Sequence, residues 1–248
     1  MEKQIFAKRR VEKRKELLEK IVEIFKGLNP VAIHQFGSGV KKYKDEFSDI
    51  DVWVTFKDSD IQRVLIGLSN NFKKIAPYIL RHHSRSWSPI GGSSNSVIHE
   101  FGPDLFVVDY YISKLSETAL KADSKLLYGD DSLINKGEWR LNLNANKNIK
   151  DSHTLKKDVD LILDLIFISI KEIVRKSNND GFVVTLKEVH KKFRKRYPGK
   201  LKMRRINLSL ESNYKLLRDL YAVSNKRQVR AINKIIDYIK QIEKMYDL

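Results

Sequence analysis

The apolar positions fall into two regimes along the chain. Up to about residue 131, short alternating or continuous apolar runs sit between helical stretches; from Leu155 the spacing is helical to the end. Residues 2–27 carry Leu17, Leu18, Ile21, Val22, Ile24 and Phe25 at helical spacing, and Gly27, Asn29 and Pro30 stop that helix. Strands are expected at Val31–Phe36 and Ile50–Phe56. Ser59 with Gln62 reads as a capping box before a helix that runs to Ala76 with Ile61, Leu65, Leu68 and Phe72 inward. Tyr78–His82 reads as a third strand. Val97–Phe101 and Asp104–Ile112 flank Gly102-Pro103 as a hairpin, and Leu115–Lys121 as a short helix. Trp87 to Asn95, rich in Gly and Ser, is expected to be a loop, either mobile beside a site or a plain hairpin connection.

Residues 132–151 are rich in Asn and Lys with little periodicity, which places a domain boundary there: 1–150 and 151–248. A helix over 153–176 is apolar almost all round, as expected at the centre of a bundle. Thr185 and Glu188 form another capping-box pattern before a helix ending at Pro198-Gly199. Two more helices follow, at about 208–222 and 226–246, the last with Val229, Ile232, Ile236, Ile239 and Ile242 as its stripe. The fold class expected is α/β (α+β): an N-terminal mixed sheet with helices on one side, then a C-terminal helical bundle. No internal repeat or low-complexity segment is evident.

Composition narrows the function classes. At 248 residues, 42% hydrophobic and 32% charged, the chain reads as a soluble globular protein with a real core. The absence of cysteine excludes disulfides, thiol nucleophiles and Cys-ligated zinc, and suits a cytoplasmic setting. The basic N-terminus has no apolar core of a secretory signal, and Val159–Ile170 is too short and too interrupted by Asp160 and Asp164 to cross a bilayer. A net charge of +17 favours encounters with anions without naming one.

Two charge runs sharpen this. The first half of the N-terminal helix holds Lys8, Arg9, Arg10, Lys13, Arg14 and Lys15, read either as a solvated helix end or as an arm for a phosphate. Lys187 to Arg205 holds ten basic residues against Glu188, with Phe193 and Tyr197 interleaved; this is either a basic outer helix face or a nucleic-acid footprint, so RNA is a partner to consider.

The chemistry centres on Phe36-Gly37-Ser38-Gly39 and Ser48-Asp49-Ile50-Asp51. Side chains alternate across a strand, so Asp49 and Asp51 share one face, separated by roughly 6.5 Å at the backbone, within reach of one divalent cation or a pair of ions. Gly37 permits close backbone approach and Ser38 offers a hydroxyl. Asp109 sits in an otherwise apolar strand, Leu105–Tyr111, where a carboxylate needs a partner such as a metal; Asp104 is more easily a turn residue. His82 and His83 point to opposite faces if that stretch is a strand, so a metal site built from both is disfavoured.

Gly37-Ser38 followed by Asp49-Ile50-Asp51 resembles the nucleotidyltransferase superfamily of the DNA polymerase β type, and most of all the antibiotic nucleotidyltransferases of the lincosamide and aminoglycoside type. The resemblance covers residues 31–131 and the rest in outline. It implies transfer of a nucleoside monophosphate from a Mg²⁺-bound NTP, with ATP the expected donor and two Mg²⁺ ions, to the hydroxyl of a small molecule such as an antibiotic. Asp49, Asp51 and Asp109 would be catalytic metal ligands. Gly37, Ser38, Ser48 and Lys42, from the Lys41–Lys42–Lys44 loop, would be on the nucleotide. Leu126–Asp130 resembles the short late strand and turn of that family. The helical domain would wall the acceptor pocket, and Asp160 or Asp164 could serve as a general base, or else pair with a Lys or Arg of the bundle. RNA or protein as acceptor, a non-catalytic binder, and a homodimer with the site at its interface remain the alternatives.

Overall fold

The computed structural model describes residues 2–40, 45–84, 88–120, 123–137, 154–176 and 180–246. Within them the chain runs α1 (Glu2–Lys26), β1 (Ala32–Phe36), a 3-10 turn (Gly37–Gly39), β2 (Ile50–Phe56), α2 (Ile61–Ile75), β3 (Tyr78–Ser84), β4 (Ser93–Phe101) and β5 (Asp104–Lys114). A second 3-10 turn (Leu115–Glu117), β6 (Ala119–Leu120), β7 (Lys125–Gly129) and β8 (Asn135–Lys136) follow, then α3 (Leu155–Val174), α4 (Asp180–Arg196), α5 (Leu210–Tyr221) and α6 (Lys226–Tyr246). The protein is mixed α/β, and it divides into two units, Lys3–Asp151 and Ser152–Leu248.

In the first unit six strands form a sheet in the order β3-β4-β5-β2-β1-β7. The β2–β5 pair at its centre is parallel; the other neighbours are antiparallel. Alternation along the strands decides the two faces. Ile50, Val52, Val54 and Phe56 join Val97, Val108, Tyr110 and Ile112 on a face covered by Leu17, Ile21 and Phe25 of α1 and by Val64, Leu68, Phe72 and Ile75 of α2. Each such side chain contributes about 1.5–3 kcal/mol on burial. The opposite face carries a smaller cluster, Ala32, Phe36, Trp53, Leu120 and Ile134, with Tyr111 half-buried against it. Both helices therefore leave one face of the sheet to other chemistry.

Several elements differ from the pattern's expectation. Leu115 opens a single 3-10 turn and not a helix, because Thr118 Oγ1 donates to the Lys114 carbonyl (2.7 Å) and the Ser116 amide donates to Asp58 (3.0 Å); these polar side chains satisfy the backbone locally, and Leu120 goes into the small cluster as strand. The expected Ser59 capping box is absent: α2 starts after Asp60, which makes no side-chain cap and takes Arg63 instead. The Gly-Ser stretch is shorter as a loop than expected, because β4 already begins at Ser93. Gly92 lies so close to β5 that a Cβ there would sit 2.0 Å from the Ile112 carbonyl oxygen. Trp87 lies outside the described residues.

In the second unit α3 packs against α4, α5 and α6. Val159, Ile162, Leu163, Ile166 and Ile170 of α3 are sealed, as are Leu216, Leu217 and Leu220 of α5 and Ile232, Ile235, Ile239 and Ile242 of α6. On α6 the stripe passes through Ile235 and not Ile236, which is half-exposed. Thr154 caps α3 by accepting from the Lys157 amide (3.3 Å), and Ser209 caps α5 by accepting from the Ser212 amide (3.1 Å). α4 begins at Asp180, so Thr185-x-x-Glu188 lies inside the helix and is no N-terminus.

Candidate active site

β1 ends at Phe36, and the chain turns at Gly37 with φ +68°, a left-handed conformation that glycine adopts without a steric cost. A Cβ on Gly37 would stand 2.4 Å from Asp51 Oδ2, so bare backbone packs on that carboxylate. Gly37 and Ser38 are exposed.

The sheet register builds the rest. Asp51 is paired with Phe36 across β1–β2 and with Asp109 across β2–β5. Asp109 is paired with Ser96 across β4–β5, and Ser96 with His82 across β3–β4. Directly paired residues share a face. One row therefore crosses five strands: His82, Ser96, Asp109, Asp51, Phe36. Neighbouring backbones along it are roughly 4.8 Å apart. Burial marks the same place. Asp51 is the position of β2 that is not buried; in β5 the half-buried positions are Asp109, Tyr111 and the terminal Lys114; in β4 they are Ser96 and the last two residues. The opening in an otherwise sealed sheet coincides with the two paired carboxylates.

The next residues on this face make its floor. The Tyr111 ring lies parallel to Trp53 at 5.3 Å and edge-on to Phe36 at 5.1 Å. Trp53 Nε1 donates to Ser113 Oγ (2.7 Å), which is 2.6 Å from Thr118 Oγ1. Burial pushes the Tyr111 phenol well up, and the charges of Asp109 and then Asp51 push it further, against a Ser94 hydrogen bond that acts the other way. Both carboxylates thus act on one phenol. Burial, with the charge of His83 added, holds His82 down to about 4, so the row carries a neutral imidazole at its β3 end near neutral pH.

Asp49 precedes β2, one pleat before Asp51, and is half-exposed. It is delivered by a turn in which the Phe47 amide donates to Asp45 Oδ1 (2.9 Å) and the Asp45 amide to Ser48 Oγ (3.2 Å). Ser48 is buried, and its hydroxyl shapes this turn. Arg14 Nη1 donates to the carbonyls of Asp45 (2.9 Å) and Ser48 (3.1 Å), and Arg10 Nε to that of Glu46 (2.9 Å). Arg10 and Arg14 are 3% and 0% exposed. Neither reading of the basic half of α1 covers them: these two arginines are internal braces of the loop ahead of Asp49, while Lys8 and Lys15 face outward. Asp104 is on the helix face, where Arg9 holds it through two hydrogen bonds of 3.0 Å. That pair accounts for its burial.

The other expected site residues fall elsewhere. Lys42 lies outside the described residues. Asp160, in the second unit, is buried and held by Arg227 at 2.5 Å and Gln228 Nε2 at 2.8 Å, the pairing weighed against the general-base reading. Asp164 is buried one turn further along α3.

The donor set at the opening is hard oxygen, which fits Mg²⁺, and the Gly37 turn leaves no Cβ against Asp51. Among the described residues, however, no group of three His, Asp or Glu side chains is placed to hold a metal ion, so Asp49 is not drawn together with Asp51 and Asp109 into a finished set. Ser96 and Tyr111 escaped sequence reasoning. The signal for Ser96 was present: a two-residue turn at Gly102-Pro103 pairs Phe101 with Asp104, and counting back from it pairs Ser96 with Asp109. With this geometry in view, no protein-family model matches the chain, and no curated protein matches it either.

Proposed function

We propose that the first unit is a metal-dependent nucleotidyltransferase that moves a nucleoside monophosphate from an NTP, ATP being the expected donor, onto an acceptor hydroxyl. The observation that carries this reading is the in-register pairing of Asp51 with Asp109 at the opening of the sheet, beside a Gly37 turn packed on the Asp51 carboxylate. Two carboxylates in register on adjacent strands repel when both are ionised. A divalent cation reverses that sign.

In the reaction the acceptor oxygen bonds to the α-phosphorus, and the bond from that phosphorus to the oxygen bridging to the β-phosphate breaks. Pyrophosphate leaves, and the hydroxyl proton passes to a base or to solvent. Asp51 and Asp109 would hold Mg²⁺, with Asp49 joining only if its turn moves towards them; the ion when bound would neutralise phosphate charge and lower the pKa of the attacking hydroxyl. Gly37 and Ser38 offer a backbone amide and a hydroxyl at the exposed end of β1 for the terminal phosphates. The Trp53–Tyr111–Phe36 stack keeps the floor of the site apolar and fixed, which strengthens charge interactions above it.

This reading expects a nucleotidyltransferase sheet followed by a helical bundle, and a small hydroxylated acceptor such as an aminoglycoside or lincosamide. An RNA acceptor is the second reading, favoured by the exposed basic residues of α4 and the segment after it. The test is incubation with each α-³²P-labelled NTP and Mg²⁺, offering small antibiotics and total RNA separately. Label should move to one acceptor class and stop on adding EDTA. If no NTP binds and neither class is labelled, the proposal fails.

A further inference from the structure

Charge is divided unevenly along the chain. Residues 152–248 hold 23 Lys and Arg against 11 Asp and Glu, which is +12 of the chain's +17. The structure sorts the densest part of this charge, Lys187 to Arg205. Arg196 is taken by Asp158, and Arg194 donates to the Arg204 carbonyl. Lys187, Lys191 and Lys195 recur every four residues of α4, so they line one face at about 6 Å intervals. All three are exposed, and none forms an ion pair among the described residues.

The interleaved aromatics take no part in that surface. Phe193 is 1% exposed, and Tyr197 packs on its ring at 4.8 Å while its hydroxyl donates to Asp158 Oδ2 (3.0 Å). Phe193 presents no ring face on which an unpaired base could stack, and the half-exposed Tyr197 lies across the helix from the lysine row. Leu186 is buried as well, and among the described side chains of α4 Val184 is the large hydrophobic left exposed. A membrane-surface helix needs a broad apolar face to insert, and these side chains do not supply one. What remains on this face is a row of exposed cations with no aromatic ring and no broad apolar surface beside them.

We infer that this face of α4 binds the phosphate backbone of a double-stranded nucleic acid without reading its sequence. Evenly spaced lysines on a rigid helix suit a regular array of phosphates, and base contacts are not needed for affinity of that kind. The inference shares these α4 residues with the RNA-acceptor reading but does not need nucleotidyl transfer: a binding assay without NTP tests it, and its failure leaves transfer to a small acceptor untouched.

The experiment is fluorescence anisotropy of the full chain against labelled RNA and DNA duplexes of about 20 base pairs, between roughly 50 and 200 mM salt. Log affinity should fall linearly with log salt for both duplexes. The triple variant Lys187→Ala, Lys191→Ala, Lys195→Ala should bind at least about tenfold more weakly, with a salt slope shallower by about 2.7, at ~0.9 per lost phosphate contact. A control triple in the first unit, Lys57→Ala, Lys73→Ala, Lys74→Ala, removes the same net charge and should change affinity less than about twofold. Circular dichroism checks the helix content of both, and a Lys→Gln set at the α4 positions repeats the measurement. Equal losses in the two triples, an unchanged α4 triple, or tighter binding to a single strand or to phosphatidylserine vesicles than to either duplex would overturn the inference.

Discussion

Asp51 and Asp109 sit in strands that are otherwise sealed, so an amide at either position removes charge without removing volume. Asp51→Asn and Asp109→Asn should each lower nucleotidyl transfer about a thousandfold, the rate equivalent of ~4 kcal/mol. Thermal stability should change far less than activity, because the amide keeps the side chain's shape. A variant of either kind with full activity sinks the site as drawn. Gly37→Ala tests the turn: the new methyl meets Asp51 Oδ2 and the backbone sits at φ +68°. A strain of about 1–3 kcal/mol is expected in urea unfolding, together with weaker NTP binding. Much at this scale was legible beforehand. Alternation alone put Asp51 opposite to Val52, and the apolar run around Asp109 marked it as out of place. The pairing of Asp51 with Asp109 was not legible, since the register of a parallel pair separated by a helix and a hairpin is set by tertiary packing and by no local rule.

Elements are held in place here by a few buried polar contacts. His99 of β4 joins three of them: its Nδ1–H donates to the Ala76 carbonyl (3.1 Å) after α2, and its Nε2 accepts from Tyr110 of β5 (2.9 Å). Burial holds its pKa down to about 4, partly offset by the carbonyls of Ala76 and Pro77. The unfolded chain, with an ordinary histidine near 6.5, binds the proton that the native state refuses. The stability is complete above pH 6.5 and is lost as pH falls towards 4, by roughly 3 kcal/mol at most. His82, depressed likewise, adds in the same direction, less so because it is half-exposed. Urea titrations at pH 7 and pH 4.5 should show this loss, and His99→Gln should flatten it; a parallel shift of both proteins would show that other groups carry the acid effect. Helix and strand positions were largely readable from spacing, while the ends were not. Two capping-box patterns misplaced starts because the motif ranks below the helix's own continuation through Asp180–Thr185 and below the Asp60–Arg63 contact. The basic half of α1 misled for a different reason: a charged residue's burial depends on carbonyls brought from the 45–48 turn and β5, which no helical wheel contains.

At the scale of the whole molecule, each unit has its own core and its own buried ionic brace. In the first, Arg14 holds the turn ahead of Asp49; in the second, Arg227 and Gln228 hold Asp160. Separate cores predict that calorimetry resolves two unfolding transitions, and that the braces belong to different ones. Arg14→Ala takes the guanidinium away from the carbonyls of Asp45, which keeps the Ser48 amide, and of Ser48, and should lower the first unit's transition by about 1–3 kcal/mol equivalent, with a loss of NTP binding as Asp49 shifts. Arg227→Met leaves a buried carboxylate with the Gln228 amide but without its cation. Breaking such a pair costs up to about 3–5 kcal/mol, and less here because the Arg227 side chain is 39% exposed. The Arg227→Met deficit should be confined to the second transition and accompanied by unchanged NTP binding. A deficit that also appears in the first transition, or a single shared transition, would mean that the two cores do not unfold apart.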